Sequence, residues 1–241
     1  MTTPSLLEES EKDAPRSDKQ SPLLITVSFN AHRFEESPYF TSREAWAAAC
    51  GARHVYVSES TTGLKLDAHC SAWLRLPMMQ LLRGRALFYL DNDCTIAAET
   101  PTFQQVTGGL DGLFIARGHS TRPNSGVLLV SPNGSDIFDF CVDRCDLDPP
   151  EECAAPYENG HVIWACTQLP WRPLPQWLNN AADESGYIVH HTGPNHSLRK
   201  IDYHNDFVGQ FDFSKTMVST PAAMRQMAAI VLDRLGLAEA Q

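Results

Sequence analysis

The sequence predicts a three-layer α/β fold, with helices on both faces of a mainly parallel central sheet. Short β-branched or aromatic runs alternate with helix-compatible segments. The strand candidates are too short for a β-sandwich. The run Ala86-Leu87-Phe88-Tyr89-Leu90 empties, mid-chain, into Asp91-Asn92-Asp93. Open α/β sheets present the carboxyl ends of their strands to ligands in this way.

The elements follow in order. Residues 1–20 are rich in Ser, Glu, Asp, Lys and Pro, with few large apolar residues after Leu7. They are expected to form a flexible tail, too polar to offset the entropy of ordering. Residues 21–241 are expected to form one domain, beginning with a strand over 23–29. A helix over 43–50, Ala-rich and closed by Gly51, leads to a strand over 54–57. A helix over 67–83 carries Leu74, Met78, Leu81 and Leu82 as its apolar stripe, with Pro77 inside and Gly84 as its stop. Strands are expected over 112–116 and 126–130, then helices over 135–145 and 158–167, and a late strand over 187–191. A last helix spans 221–235, with Thr220 as N-cap, Pro221 at N1 and Gly236 at its end. Met224, Met227, Val231 and Leu235 share one face, which marks it as a docking helix.

Composition narrows the function. The chain has 241 residues, 43% of them hydrophobic, enough for a sizeable core. Its formal charge of -10 argues against a general nucleic-acid binder, which needs a basic face. No apolar run is long enough to span a bilayer, and the start lacks a signal-peptide pattern. A cytoplasmic protein is expected, with peripheral membrane association left open. The seven cysteines read as reduced thiols. Cys141, Cys145, Cys153 and Cys166 lack the paired C-x-x-C spacing of a zinc site, so buried free thiols are expected.

Residues i and i+2 of a strand point the same way, which lets Asp91 and Asp93 converge on one cation. Clustered carboxylates repel unless a cation neutralises them, and hard oxygen ligands favour Mg²⁺ or Mn²⁺. Such an ion is suited to gripping a diphosphate. A strand that ends in a solvated acidic turn gives the same pattern in isolation.

Trp73-Leu74-Arg75-Leu76 before the Asp91-Asn92-Asp93 strand, then Asn124-Ser125-Gly126, Tyr157-Glu158-Asn159-Gly160-His161 and His190-His191-Thr192-Gly193-Pro194 follow in order, and these four motifs resemble the nucleotide-sugar glycosyltransferases of the GT-A fold, over roughly residues 23–200. The likeness is to the glycogenin-type family and to plant xylosyltransferases and yeast mannosyltransferases. The first motif is Trp73-Leu74-Arg75-Leu76, then Leu81-Leu82, then 86–93. The resemblance implies a Rossmann-like GT-A domain, with Asp93 as a direct metal ligand and Asp91 sharing metal or ribose binding beside Asn92. Lys65 and Arg75 become candidate phosphate or sugar contacts. The second motif is Asn124-Ser125-Gly126 at a strand start, which in the family lines the donor-sugar pocket. The third, Tyr157-Glu158-Asn159-Gly160-His161, resembles the acidic-amide pair that reaches the transferred sugar, with Asn159 where the family has Gln. Asn124, Glu158 and Asn159 are thus the catalytic candidates, and His161 a substrate contact. The fourth is His190-His191-Thr192-Gly193-Pro194, followed by Lys200. It implies His191 as the third metal ligand, with Gly193 and one of His196, Arg199 and Lys200 near the diphosphate. Thr26, Ser28 and Asn30, at the end of the first strand, would open the nucleotide pocket.

The implied activity is metal-dependent transfer of a sugar from a nucleotide-diphosphate donor, a UDP-sugar before a GDP-sugar, to the hydroxyl of an unidentified acceptor, with retention. Two alternatives stand beside it. The stretch Asp91-Asn92-Asp93-Cys94-Thr95 also fits the D-x-D-x-T signature of haloacid-dehalogenase phosphatases, with Asp91 as nucleophile. That motif belongs on a first strand, whereas two strand candidates precede it here. A module that binds a nucleotide sugar without turnover is the third reading.

Overall fold

The computed structural model describes residues 21–29, 38–66, 68–118, 120–134, 136–180, 185–191 and 220–238. Asn30, Gly193 and Lys200 lie outside them, as do the stretch 1–20, His196 and Arg199. Among the described residues, a six-stranded sheet is ordered β2-β1-β3-β6-β5-β7. Its strands are β1 (Leu23–Val27), β2 (Arg53–Val57), β3 (Leu87–Leu90), β5 (Leu113–Arg117), β6 (Pro123–Val130) and β7 (Arg172–Pro173). Strand β1 is parallel to β2 and β3, and β5 is parallel to β7. Only β6 runs against its neighbours in this sheet. A two-stranded antiparallel sheet joins β4 (Cys94–Ile96) to β8 (Ile188–His190).

The period-two alternation of the strands sorts the core into two layers. On one face Leu23, Ile25, Leu87, Tyr89, Leu128 and Val130 meet Trp73, Leu74 and Met78 of α3 (Ala68–Leu81). The same layer includes α5 (Asp136–Val142), α6 (Asn159–Gln168) and α7 (Pro221–Arg234). On the other face Leu24, Phe88, Leu90, Val127 and Leu129 meet Trp46 and Ala47 of α1 (Pro38–Ala49), together with Cys94, Ile96 and Ile188 of the small sheet. The expected three layers and mainly parallel sheet are thus observed.

Helix α7 starts on the Thr220 Oγ1 cap, which accepts from the Ala223 amide, and buries Met224, Ala228, Val231 and Leu232. Cys141, Cys145 and Cys153 are buried free thiols. The short helices α2 (Glu59–Thr62) and α4 (Phe103–Thr107) have capping boxes at Ser58/Thr61 and Thr102/Gln105 that the sequence reading passed over. No helix among the described residues is long and apolar enough to cross a membrane.

Candidate active site

Asp91 leaves the carboxyl end of β3, and Asp93 closes the tight turn into β4. The Asp91 amide donates to the Gly126 carbonyl (2.8 Å), and the Cys94 amide donates to the Asp91 carbonyl (3.0 Å). These bonds set the turn beside the N-terminal half of β6. The His191 amide donates to the Asp93 carbonyl (2.9 Å), which docks the end of β8 against the same turn.

His190, and not the expected His191, faces the two carboxylates. Its Nε2 lies 3.2 Å from Asp93 Oδ1 and 3.4 Å from Asp91 Oδ2. The His191 ring is turned to Thr95, with Nε2 3.1 Å from Oγ1. The cause is the register of the small sheet, in which His190 pairs with Cys94, immediately after Asp93.

A relay of amides fixes the proton on His190. The Gly126 amide donates to Asn124 Oδ1 (3.0 Å), which also accepts from Asn179 Nδ2 (2.9 Å). Asn179 must therefore turn its Oδ1 toward His190 Nδ1, 2.9 Å away, and Nδ1 is the donor. Nε2 is left to face two carboxylate oxygens. A buried ring nitrogen that faces two carboxylate oxygens in this way calls for a proton or a metal cation. Burial works to lower the His190 pKa, but Asp93, by charge and hydrogen bond, and then Asp91 outweigh it and leave it above the ordinary 6.5. Neighbouring ligands of one Mn²⁺ or Mg²⁺, each about 2.1 Å from the ion, stand roughly 3 Å apart in octahedral geometry. The 3.2 and 3.4 Å separations fit that requirement for each pairing of His190 with a carboxylate.

Cys94 brings a third donor to this place: ligand atoms of Asp93, Cys94 and His190 lie within 4.8 Å of one another, a group that does not include Asp91. Burial, with Asp93 and Asp91 adding to it, holds its pKa well above the ordinary thiol value. The thiol is therefore kept protonated, with Sγ 3.9 Å from the Gly126 carbonyl it donates to.

Asp91 is held from behind. Its Oδ1 accepts from Arg75 Nη1 and from Tyr89 Oη (2.9 Å). Arg75, only 4% exposed, also pairs with Glu158 and donates to Ser125 Oγ (2.7 Å), while its guanidinium stacks 4.5 Å from the Tyr89 ring centre. Ser125 Oγ in turn donates to Glu158 Oε1 (2.8 Å). Arg75 and Glu158 thus form a buried support under Asp91, rather than open phosphate and sugar contacts. The Ser125 amide donates to Asn159 Oδ1 (2.9 Å) and ties the start of α6 to β6. Gly126 is needed for contact: a Cβ there would lie 2.3 Å from His190 Cε1 and 2.8 Å from Asp91 Oδ2.

Other expected contacts fall elsewhere. His161 is buried and donates from Nε2 to the Arg144 and Leu147 carbonyls (3.0 and 2.9 Å), edge-on to Trp73. Burial lowers its pKa, and it is a core residue. Lys65 is exposed and pairs with Glu59 at 3.6 Å. Thr26 is fully buried and accepts from Arg43 Nη1 (3.0 Å). Ser28 Oγ accepts from Asn92 Nδ2 (2.6 Å), so both side chains pack the turn from below. The D-x-D-x-T pattern is also divided, since Thr95 turns to His191 while Asp91 is engaged by Arg75 and Tyr89.

The sequence reading missed Asn179 and Arg43. Arg43 lies on the inward face of α1 with Trp46 and Ala47, so an arginine on that apolar stripe was the available signal. Asn179 lies in a loop segment with no such pattern.

No protein-family model and no curated protein sequence matches the chain. Among solved structures, the fold recurs in a glycosyltransferase involved in the glycosylation of the major capsid of PBCV-1. There the TM-score is 0.53 at 16% identity, over 73% of this chain and 96% of that one. It recurs also in the apo form of the glycosyltransferase GlyE of Streptococcus pneumoniae TIGR4. In that case the TM-score is 0.51 at 11% identity, over 86% of this chain and 62% of GlyE. At such identities the likeness speaks for the fold alone. The chain has the GT-A fold of glycosyltransferases, as its motif order implies.

Proposed function

We propose that the chain is a metal-dependent glycosyltransferase that moves a sugar from a nucleotide diphosphate to an acceptor hydroxyl. The observation that carries this reading is His190 Nε2 facing both Asp93 Oδ1 and Asp91 Oδ2, with His190 Nδ1 tied to Asn179. These three residues would hold Mn²⁺ or Mg²⁺. The bound cation supplies Lewis-acid stabilisation of the negative charge that grows on the leaving diphosphate.

The remaining roles belong to the chain. Arg75 and Tyr89 engage Asp91 Oδ1, which keeps Oδ2 turned to the cation site. Asn124, Ser125 and Gly126 bring backbone and amide groups to the edge of that site, where sugar hydroxyls are to be oriented. Asn159 holds the start of α6 against them. Retention of anomeric configuration, and a UDP-sugar donor before a GDP-sugar, complete the proposal.

The test is a thermal-shift panel of UDP, GDP, ADP and CMP, each with Mn²⁺ and again after EDTA. One nucleoside diphosphate should stabilise the chain in a metal-dependent way. If none does, the proposal fails.

A further inference from the structure

We infer that Arg43 is a positioning residue, which sets the Asp91–Cys94 turn in the form that takes a cation before any cation arrives. The inference rests on the metal-dependent reading above and adds to it a group that touches neither metal nor donor. Arg43 is fully buried, although it arises from the Ala-rich helix α1. Its Nη2 donates to three carbonyls of one turn: Asp91 (2.8 Å), Asn92 (2.8 Å) and Cys94 (2.7 Å). Its Nη1 donates to Thr26 Oγ1 of β1 (3.0 Å). One planar guanidinium thus joins helix α1, strand β1 and the turn.

Two effects follow. The turn is tied at three carbonyls on both sides of Asp93, which restrains the backbone that carries Asp91 and Asp93 against their repulsion. A buried charge is costly unless it is compensated, and here converging carbonyl dipoles and the Thr26 hydroxyl supply the compensation. The field of Arg43 is felt around it: it contributes to the lowering of the His54 pKa and opposes the rise at Cys94. A cation site whose turn is already set needs less reorganisation on binding. A lysine would keep the charge, but its single nitrogen cannot serve both Thr26 and the three carbonyls. Methionine would remove both charge and donors.

The experiment compares full-length wild type, Arg43→Lys, Arg43→Met and Thr26→Val. Free Mn²⁺ is titrated by electron paramagnetic resonance, and amide hydrogen exchange is followed over 88–96. Arg43→Met should lose Mn²⁺ affinity by roughly 10- to 100-fold, the range for residues that orient metal ligands from behind. Arg43→Lys should fall between it and wild type, and exchange should quicken in the turn first. Should Arg43→Met fail to fold, Arg43→Lys and the milder Thr26→Val carry the test. Folded variants that bind Mn²⁺ within about twofold of wild type would overturn the inference while leaving the metal reading intact. A wild-type chain that binds no Mn²⁺ would overturn the metal reading, and the inference with it.

Discussion

Replacing Gly126 with alanine should disable the proposed cation site while leaving the fold in place. The position is within strand β6, so an alanine meets no backbone objection. The obstacle is space. The new Cβ would stand 2.3 Å from His190 Cε1, whereas ordinary contact begins at 3.4 Å, so one side must move by about 1.1 Å. His190 cannot yield freely, because Nδ1 is tied to Asn179 and Nε2 faces Asp91 and Asp93. Nor can Asp91 Oδ2 or Asn124 Oδ1, each 2.8 Å from the same Cβ. Overpacking of this kind costs about 1–3 kcal/mol of stability, which a domain of this size tolerates. A shift of about 1 Å at a metal ligand is far larger than the roughly 0.2 Å tolerance of a coordination bond. Calorimetric titration of Mn²⁺ into Gly126→Ala should therefore show little or no binding, while its urea midpoint moves modestly. A variant that binds Mn²⁺ with wild-type affinity would refute the proposed ligand set, since the methyl group cannot coexist with it.

Other outcomes follow from the same geometry. His190→Ala should lower Mn²⁺ affinity by more than about 100-fold, beyond the usual effect of an outer-shell residue. His191→Ala should leave affinity unchanged and cost about 1 kcal/mol for its bond to Thr95; the reverse ranking would restore His191 as the ligand. Glu158→Gln removes a buried countercharge of Arg75 and should destabilise the chain by roughly 3 kcal/mol in urea melts. A loss below about 0.5 kcal/mol would place Arg75 fully in the care of Asp91. His54 has its pKa lowered to about 4, by burial and then by Arg43. The unfolded chain takes up this proton below about 6.5, but the folded chain does so only near 4. Stability should thus fall by up to about 3 kcal/mol as pH drops between those values, and His54→Leu should flatten that part of the profile.

The elements with strong local patterns were legible. The apolar runs that became β1, β2, β3 and β5 fall within a residue or two of their expected bounds, as does the helix capped by Thr220 and Pro221. Local pattern fails where the deciding partner is distant. The family resemblance points to His191 as the metal ligand. What selects His190 is its pairing with Cys94, nearly a hundred residues earlier, which no local count reveals. His161 is implied together with its neighbours Glu158 and Asn159, yet as the third residue of α6 it faces Trp73. Thr26 and Ser28 were expected to meet a nucleotide. Thr26, in β1, and Ser28, just past its end, meet Arg43 and Asn92, whose demands for partners cannot be read from β1 itself.

The direction of β6 shows why motif order alone reaches only part of the site. Had β6 run parallel to β3, its first residues would lie at the opposite end of the sheet from Asp91. Because it is antiparallel, Leu90 pairs with Val127 and the Asp91 amide reaches the Gly126 carbonyl. Asn124, Ser125 and Gly126 then stand beside the carboxylates, not some 15 Å away, the length of a short strand. From that one reversal come the amide relay through Asn124 and Asn179 to His190 and the Ser125 bond to Arg75. Each motif is locally weak, and the antiparallel strand makes them neighbours. The glycine at its centre then fixes how closely histidine, carboxylate and backbone can meet.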